Sequence, residues 1–197
     1  MSKSAVLVIL SAFAAGCSSN ASAPTAPMSV PVFSQSDAAS PNANGGNFGT
    51  PLSGDEEVPA NASRARGNAV FQLNARGDAI DYQLSVANIE NVFMAHIHMA
   101  PPGVAGGVVV WLYPGVTPGP GPAGGGRIDG VIARGTFTAG NLVGPLAGHP
   151  LSDLVAAIQA GNAYVNVHTS DGVDPPNTGP GDIPGGEIRS QVEHRGH

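Results

Sequence analysis

Positive charge is scarce in this 197-residue chain. Eight residues are Lys or Arg against 14 Asp and Glu, a formal net charge of -6. Nucleic-acid binding needs a basic face that neutralises phosphates, so that class of partner is excluded. Charge of either sign is thin, at 11% of residues against roughly 25% in an average soluble domain. Cysteine occurs once, at Cys17. No intramolecular disulfide can form, and the fold must rest on its core, on a metal, or on both. Long apolar runs are also missing. The longest, Ala5 to Ala15, falls short of the ~20 residues that a transmembrane helix needs. The 28 Gly and 18 Pro make up nearly a quarter of the chain, and both break helix interiors, which argues against a helical bundle. They follow no Gly-X-Y period, so collagen is excluded. What remains is one all-β domain with long loops and a tail, or a partly disordered chain.

The features that are present begin with a processing signal. Lys3 precedes the apolar run, which has the length of a signal-peptide core. The run ends in Ala14-Ala15-Gly16-Cys17. This resembles a bacterial lipobox, with Ala14 where leucine is usual. The resemblance implies removal of residues 1–16 and lipidation of Cys17, a palmitate-type anchor to the membrane of the cell envelope. An ordinary signal peptide that leaves a free thiol is the alternative. Ser18, rather than Asp, follows the cysteine and points to outer-membrane delivery where a cell has one. Cleavage would remove Lys3, the one lysine, leaving seven arginines. Residues 17–47 are rich in Ser, Ala, Pro, Asn and Gly and read as a disordered tether.

From Phe48 the pattern changes. Ala69, Phe71 and Leu73 alternate with polar residues, and Ile80, Tyr82, Leu84 and Val86 alternate with Asp81, Gln83 and Ser85. Period-two alternation predicts half-buried strands. Ala75-Arg76-Gly77-Asp78 between them reads as a hairpin turn rather than an adhesion motif. Further strands are predicted over 92–98, 107–113, 131–137, 163–169 and 186–192. In the first of these, Val92, Met94, His96 and His98 are expected on one face. Ser152 is expected to cap a short helix over 154–160 that stops at Gly161. The Gly/Pro-rich stretches Pro114 to Gly126 and Asp171 to Gly186 read as long surface loops. The fold class expected is an all-β antiparallel sandwich or barrel, immunoglobulin-like or superoxide-dismutase-like, with one short helix and long Gly/Pro loops.

Three of the six histidines stand in strands. His96 and His98 project from one face roughly 7 Å apart, and His168 shares a face with Tyr164 and Asn166. If those strands meet, three imidazoles converge, a donor set that suits copper or zinc. Met94 and Met99 lie nearby, and thioethers favour Cu(I). Glu187 is a candidate for orienting a ligand from behind. The competing reading makes the same residues a hydrogen-bonded polar seam, with Arg189 in an ordinary ion pair with Glu187 or another acid. His149 lies in a turn, and His194 and His197 in a frayed tail. No catalytic residue is indicated: there is no nucleophile elbow, and the run Asp55-Glu56-Glu57 reads as a solvated edge.

The order of motifs resembles a known family. Leu52-Ser-Gly-Asp-Glu-Glu-Val-Pro59 opens the domain, and Ala95-His-Ile-His98 follows. Gly161-Asn-Ala-Tyr-Val-Asn-Val-His-Thr169 and Gly186-Glu-Ile-Arg189 close it. This resembles the CHRD domain, named from chordin, over about residues 48–194. The Gly/Pro insertion before Gly186 and the Ser190 after Arg189 depart from the family pattern. The resemblance implies an all-β, extracytoplasmic domain and little about activity. The His-x-His strand is similar to the copper ligands of Cu,Zn superoxide dismutase. The remaining ligands and the disulfide of that enzyme have no counterparts here, so the likeness does not carry its chemistry. The reading is a non-catalytic, envelope-anchored binding protein with a candidate copper or zinc site from His96, His98 and His168. The alternative is a structural or interaction module for an envelope or extracellular protein partner, with the histidines structural.

Overall fold

The computed structural model describes residues 46–195. The signal segment, Cys17 and most of the tether lie outside the described residues, as does His197. Nine strands follow in order: β1 (Asn47–Ser53), β2 (Arg66–Leu73), β3 (Ala79–Glu90), β4 (Val92–Met99), β5 (Gly107–Tyr113), β6 (Arg127–Thr138), β7 (Ala163–Thr169), β8 (Ile188–Gln191) and β9 (Glu193–His194). One helix, α1 (Leu151–Gln159), precedes β7. All strand pairs are antiparallel, in the order β5-β4-β7-β8-β1-β2-β3-β6, with β9 added to β1. The end strands β5 and β6 come into contact, so the sheet curls into a nearly closed barrel. The expected all-β class holds.

The core follows the alternation. In β3, Ile80, Tyr82, Leu84 and Val86 are buried, and they meet Phe71 and Ala69 of β2, Phe137 of β6 and Leu112 of β5 in one cluster. The Tyr82 hydroxyl donates to the Leu112 carbonyl at 2.7 Å, joining β3 to β5. The turn after β2 is built as its residues imply. Gly77 has φ +73°, and Asn74 and Asp78 exchange side-chain and backbone hydrogen bonds at 2.6 and 3.1 Å.

Several expectations are corrected. The strand at 47–53 goes beyond the predicted set: Phe48, Thr50 and Leu52 are buried on one face, and Gly49 on the other is buried beside the Arg195 side chain, while Pro51 is exposed. The helix starts at Leu151, two residues earlier than Ser152 as the cap implies. Pro150 is its N-cap, without a side-chain cap bond, and Ser152 lies inside the first turn. Gly161 at φ +72° does close it. The described part of the tail joins the sheet: His194 pairs with Phe48 in the ladder, and the two rings meet edge to face at 5.5 Å. Glu187 precedes β8 instead of standing within it.

Val92 does not share a face with the histidines. It pairs with Thr169, whereas Met94 pairs with His168, so Phe93 is an extra residue and the parity flips across it. Val92, Ala95 and Ile97 therefore face the core with Val165, Val167 and Ile188. Met94, His96 and His98 face the other side with His168, Asn166 and Tyr164. This second side is not open to solvent, since all seven residues of β7 are buried. The loops 100–106 and 170–187 cover it.

Candidate metal centre

The register of β4 against β7 assembles the centre. His96 stands opposite Asn166, His98 opposite Tyr164, and His168 opposite Met94. The two outer histidines are thus one row to either side of the His96–Asn166 row. Their rings nevertheless lean together, with centroids 5.4 Å apart for His96–His98, 5.0 Å for His96–His168 and 5.8 Å for His98–His168. One nitrogen from each ring lies within 4.8 Å of the others. All three side chains are buried, at 2%, 8% and 5% exposure. Two bulges in the β4–β5 ladder flank His96 and set Trp111 opposite it. The indole meets the His96 ring edge to face at 4.2 Å.

The hydrogen bonds fix the tautomers. His98 Nδ1 lies 2.9 Å from the Gly106 carbonyl, and His168 Nδ1 lies 2.9 Å from the Pro184 carbonyl. A carbonyl only accepts, so both Nδ1 atoms carry the proton and both Nε2 atoms present a lone pair. His168 Nε2 lies 3.2 Å from His96 Nδ1, which therefore donates to it. The Nε2 atoms of His96 and His98 are buried and make no hydrogen bond. Burial, the largest cause, lowers the pKa of all three. Mutual repulsion helps bring His96 down to about 3, and His168 falls to about 4 against the opposing Pro184 bond. His98 is also lowered, with the Gly106 bond opposing and the Arg189 charge adding. Three neutral imidazoles that bring one nitrogen each within 4.8 Å of the others, with the Nε2 atoms of His96 and His98 unpartnered, suit a metal ion that takes nitrogen donors once the His96–His168 bond is released.

Glu187 does not orient a histidine. Its carboxylate accepts from Ser63 Oγ and Thr169 Oγ1, each at 2.6 Å, and from the Gly181 amide at 2.7 Å. That ties the loop after β1, the end of β7 and the long loop together. The orienting groups are the Gly106 and Pro184 carbonyls, and no side-chain pattern marks a backbone carbonyl in a sequence. The Glu187–Arg189 ion pair does not form either. Arg189 donates to the Val104 carbonyl at 2.8 Å, and its guanidinium carbon sits 3.4 Å from the centre of the Tyr164 ring. Tyr164 in turn stacks on His98 at 4.8 Å and 9°.

Glu57 also departs from its expected place. Asp55 and Glu56 are exposed, but Glu57 is buried. Desolvation raises its pKa to about 7, against the lowering effects of Arg189, the Val58 amide and Asn166. The run is not a strand edge: Asp55 and Glu56 lie in a 3-10 turn over Gly54–Glu56, and Glu57 closes it.

A family model described as CHRD domain matches residues 48–176. The chain belongs to the CHRD domain family. The match spans the three histidines of the CHRD domain and stops before Glu187 and Arg189. No curated protein and no solved structure matches the chain.

Proposed function

We propose that this chain is an exported, lipid-anchored CHRD binding module whose His96, His98 and His168 hold one copper or zinc ion without catalysis. The observation that carries the reading is three buried imidazoles with one nitrogen each within 4.8 Å of the others, beside two Nε2 atoms, of His96 and His98, that have no partner. A buried polar atom with no partner costs about 1–3 kcal/mol, and a bound ion removes that cost at both rings. The CHRD family favours an extracellular binding or structural module over an enzyme. The apolar run before Cys17 supports export, and the tether behind it supports anchoring in the envelope, on the outer membrane, in the periplasm or at the cell surface.

One observation favours a second reading. The His96–His168 hydrogen bond and the two carbonyl bonds satisfy four of the six ring nitrogens without any metal. That is what a structural seam in an interaction module requires. The experiment that separates the two adds Cu(I), Cu(II) and Zn(II) to the metal-free chain and follows thermal unfolding. Binding to the native state adds RT ln(1 + [L]/Kd) to stability. The metal reading expects one ion per chain, a raised midpoint, and loss of both in the His96→Ala, His98→Ala, His168→Ala variant. The structural reading expects no metal effect, together with a destabilised variant. Trp111, the single tryptophan, supplies a second signal: paramagnetic Cu(II) at His96 should quench its fluorescence and Zn(II) should not.

A further inference from the structure

We infer that the three-histidine centre is built for a monovalent ion, Cu(I), and that the buried guanidinium of Arg189 sets this preference against dications. The inference rests on the metal reading above and names the ion it leaves open. Cu(I) and Zn(II) are isoelectronic d10 ions, so the site must separate them by charge and by coordination number.

The ligand set carries no negative charge. Among the described residues, the cluster contains three histidines and no cysteine or carboxylate. The nearest candidate acid in sequence, Glu187, has its carboxylate committed to Ser63, Thr169 and Gly181. A buried ion held by neutral ligands keeps its full charge, and the cost of desolvating it rises with the square of that charge. A dication is penalised far more than a monocation in such a place. Zn(II) offsets that penalty elsewhere with thiolates, carboxylates or a solvent ligand, and takes four donors. Three imidazoles satisfy Cu(I), which accepts trigonal coordination.

Arg189 adds to the discrimination. Its side chain is buried at 3% exposure and makes no ion pair with any described residue; its bonds go to the Val104 carbonyl and Gln191. It is one aromatic ring from His98, stacked on Tyr164 as Tyr164 stacks on His98. A fixed positive charge there repels a bound cation in proportion to that cation's charge. Glu57 also senses Arg189, but burial holds its carboxyl near pKa 7, so at neutral pH it offsets the guanidinium incompletely. Arg189 is thus a specificity-determining residue that touches no ligand atom.

The test uses the full chain, metal-free and under anaerobic conditions. Affinities for Cu(I) and Zn(II) are measured by chelator competition on the wild type, Arg189→Lys and Arg189→Met. The wild type should bind Cu(I) more tightly than Zn(II). Arg189→Lys keeps the charge and should keep the ratio, while Arg189→Met should raise relative Zn(II) affinity on the order of tenfold. Tighter Zn(II) than Cu(I) in the wild type overturns the inference while leaving the metal reading intact. An unchanged ratio in Arg189→Met overturns the role of Arg189. Binding of neither ion defeats the metal reading itself, and the inference with it. Should Arg189→Met fail to fold, the wild-type ratio still decides the choice of ion.

Discussion

Acidification of the metal-free protein should reveal two buried titrations of opposite sign. His96 and His168 are held neutral, with pKa values of about 3 and about 4 in the fold, against an ordinary value near 6.5 in an unfolded chain. The unfolded state therefore binds protons that the folded state refuses. Their stabilising contribution is complete above pH 6.5 and is lost as pH falls from there toward the folded values. Between pH 7 and pH 5 each histidine gives up about 2 kcal/mol, or about 4 kcal/mol for the pair. Glu57 works the other way. Its pKa of about 7 in the fold lies above its ordinary 4.5, so the folded state gains protons first and stability rises on acidification. Over the same interval that returns about 2 kcal/mol. From these three groups the wild type should lose about 2 kcal/mol from pH 7 to pH 5, and Glu57→Gln, which cannot titrate, about 4 kcal/mol; His98, also lowered, deepens both losses alike. Guanidinium unfolding at half-unit pH steps measures both slopes. A flat profile for Glu57→Gln would refute the claim that the histidines are buried and neutral. An identical slope in both proteins would refute the burial of Glu57. Saturating Cu(I) should steepen the acid loss further, because protons then compete with the ion for the same lone pairs.

Three further outcomes are expected. Glu187→Ala leaves Ser63, Thr169 and the Gly181 amide without their shared acceptor and should cost about 3–5 kcal/mol in chemical denaturation; a cost under 1 kcal/mol would show that water replaces the carboxylate. Gly186→Ala places a Cβ at 2.5 and 2.6 Å from the Asn166 amide and 2.8 Å from Glu57 Oε1, at φ +133°. It should destabilise by about 2 kcal/mol or more, and amide hydrogen exchange should rise in β7 and in the loop over it. Tyr82→Phe removes the bond to the Leu112 carbonyl and should lower stability by about 1–2 kcal/mol with metal affinity unchanged, since the tie lies on the core side of the barrel.

The chain by itself determined the elements and the ligand types. Strict alternation over 79–86 and 163–169 is a local property, because a strand turns successive side chains to opposite faces whatever it pairs with. The β-rich class, the helix stop at Gly161 and the candidate trio of histidines were legible on that basis. Tertiary structure decided everything that depends on pairing. The β4–β7 register put Asn166 opposite His96 and left His168 diagonal to it. The bulge at Phe93 moved Val92 to the core, and two more bulges brought Trp111 onto His96. The loops folded over the second face of the sheet and turned an apparent solvent side into a buried one. That burial strips protons from the histidines, lifts the Glu57 pKa, and parks Arg189 one ring from the centre. Spacing along a strand records which way a side chain points. It does not record what covers that face, and the covering sets the charge a bound ion meets.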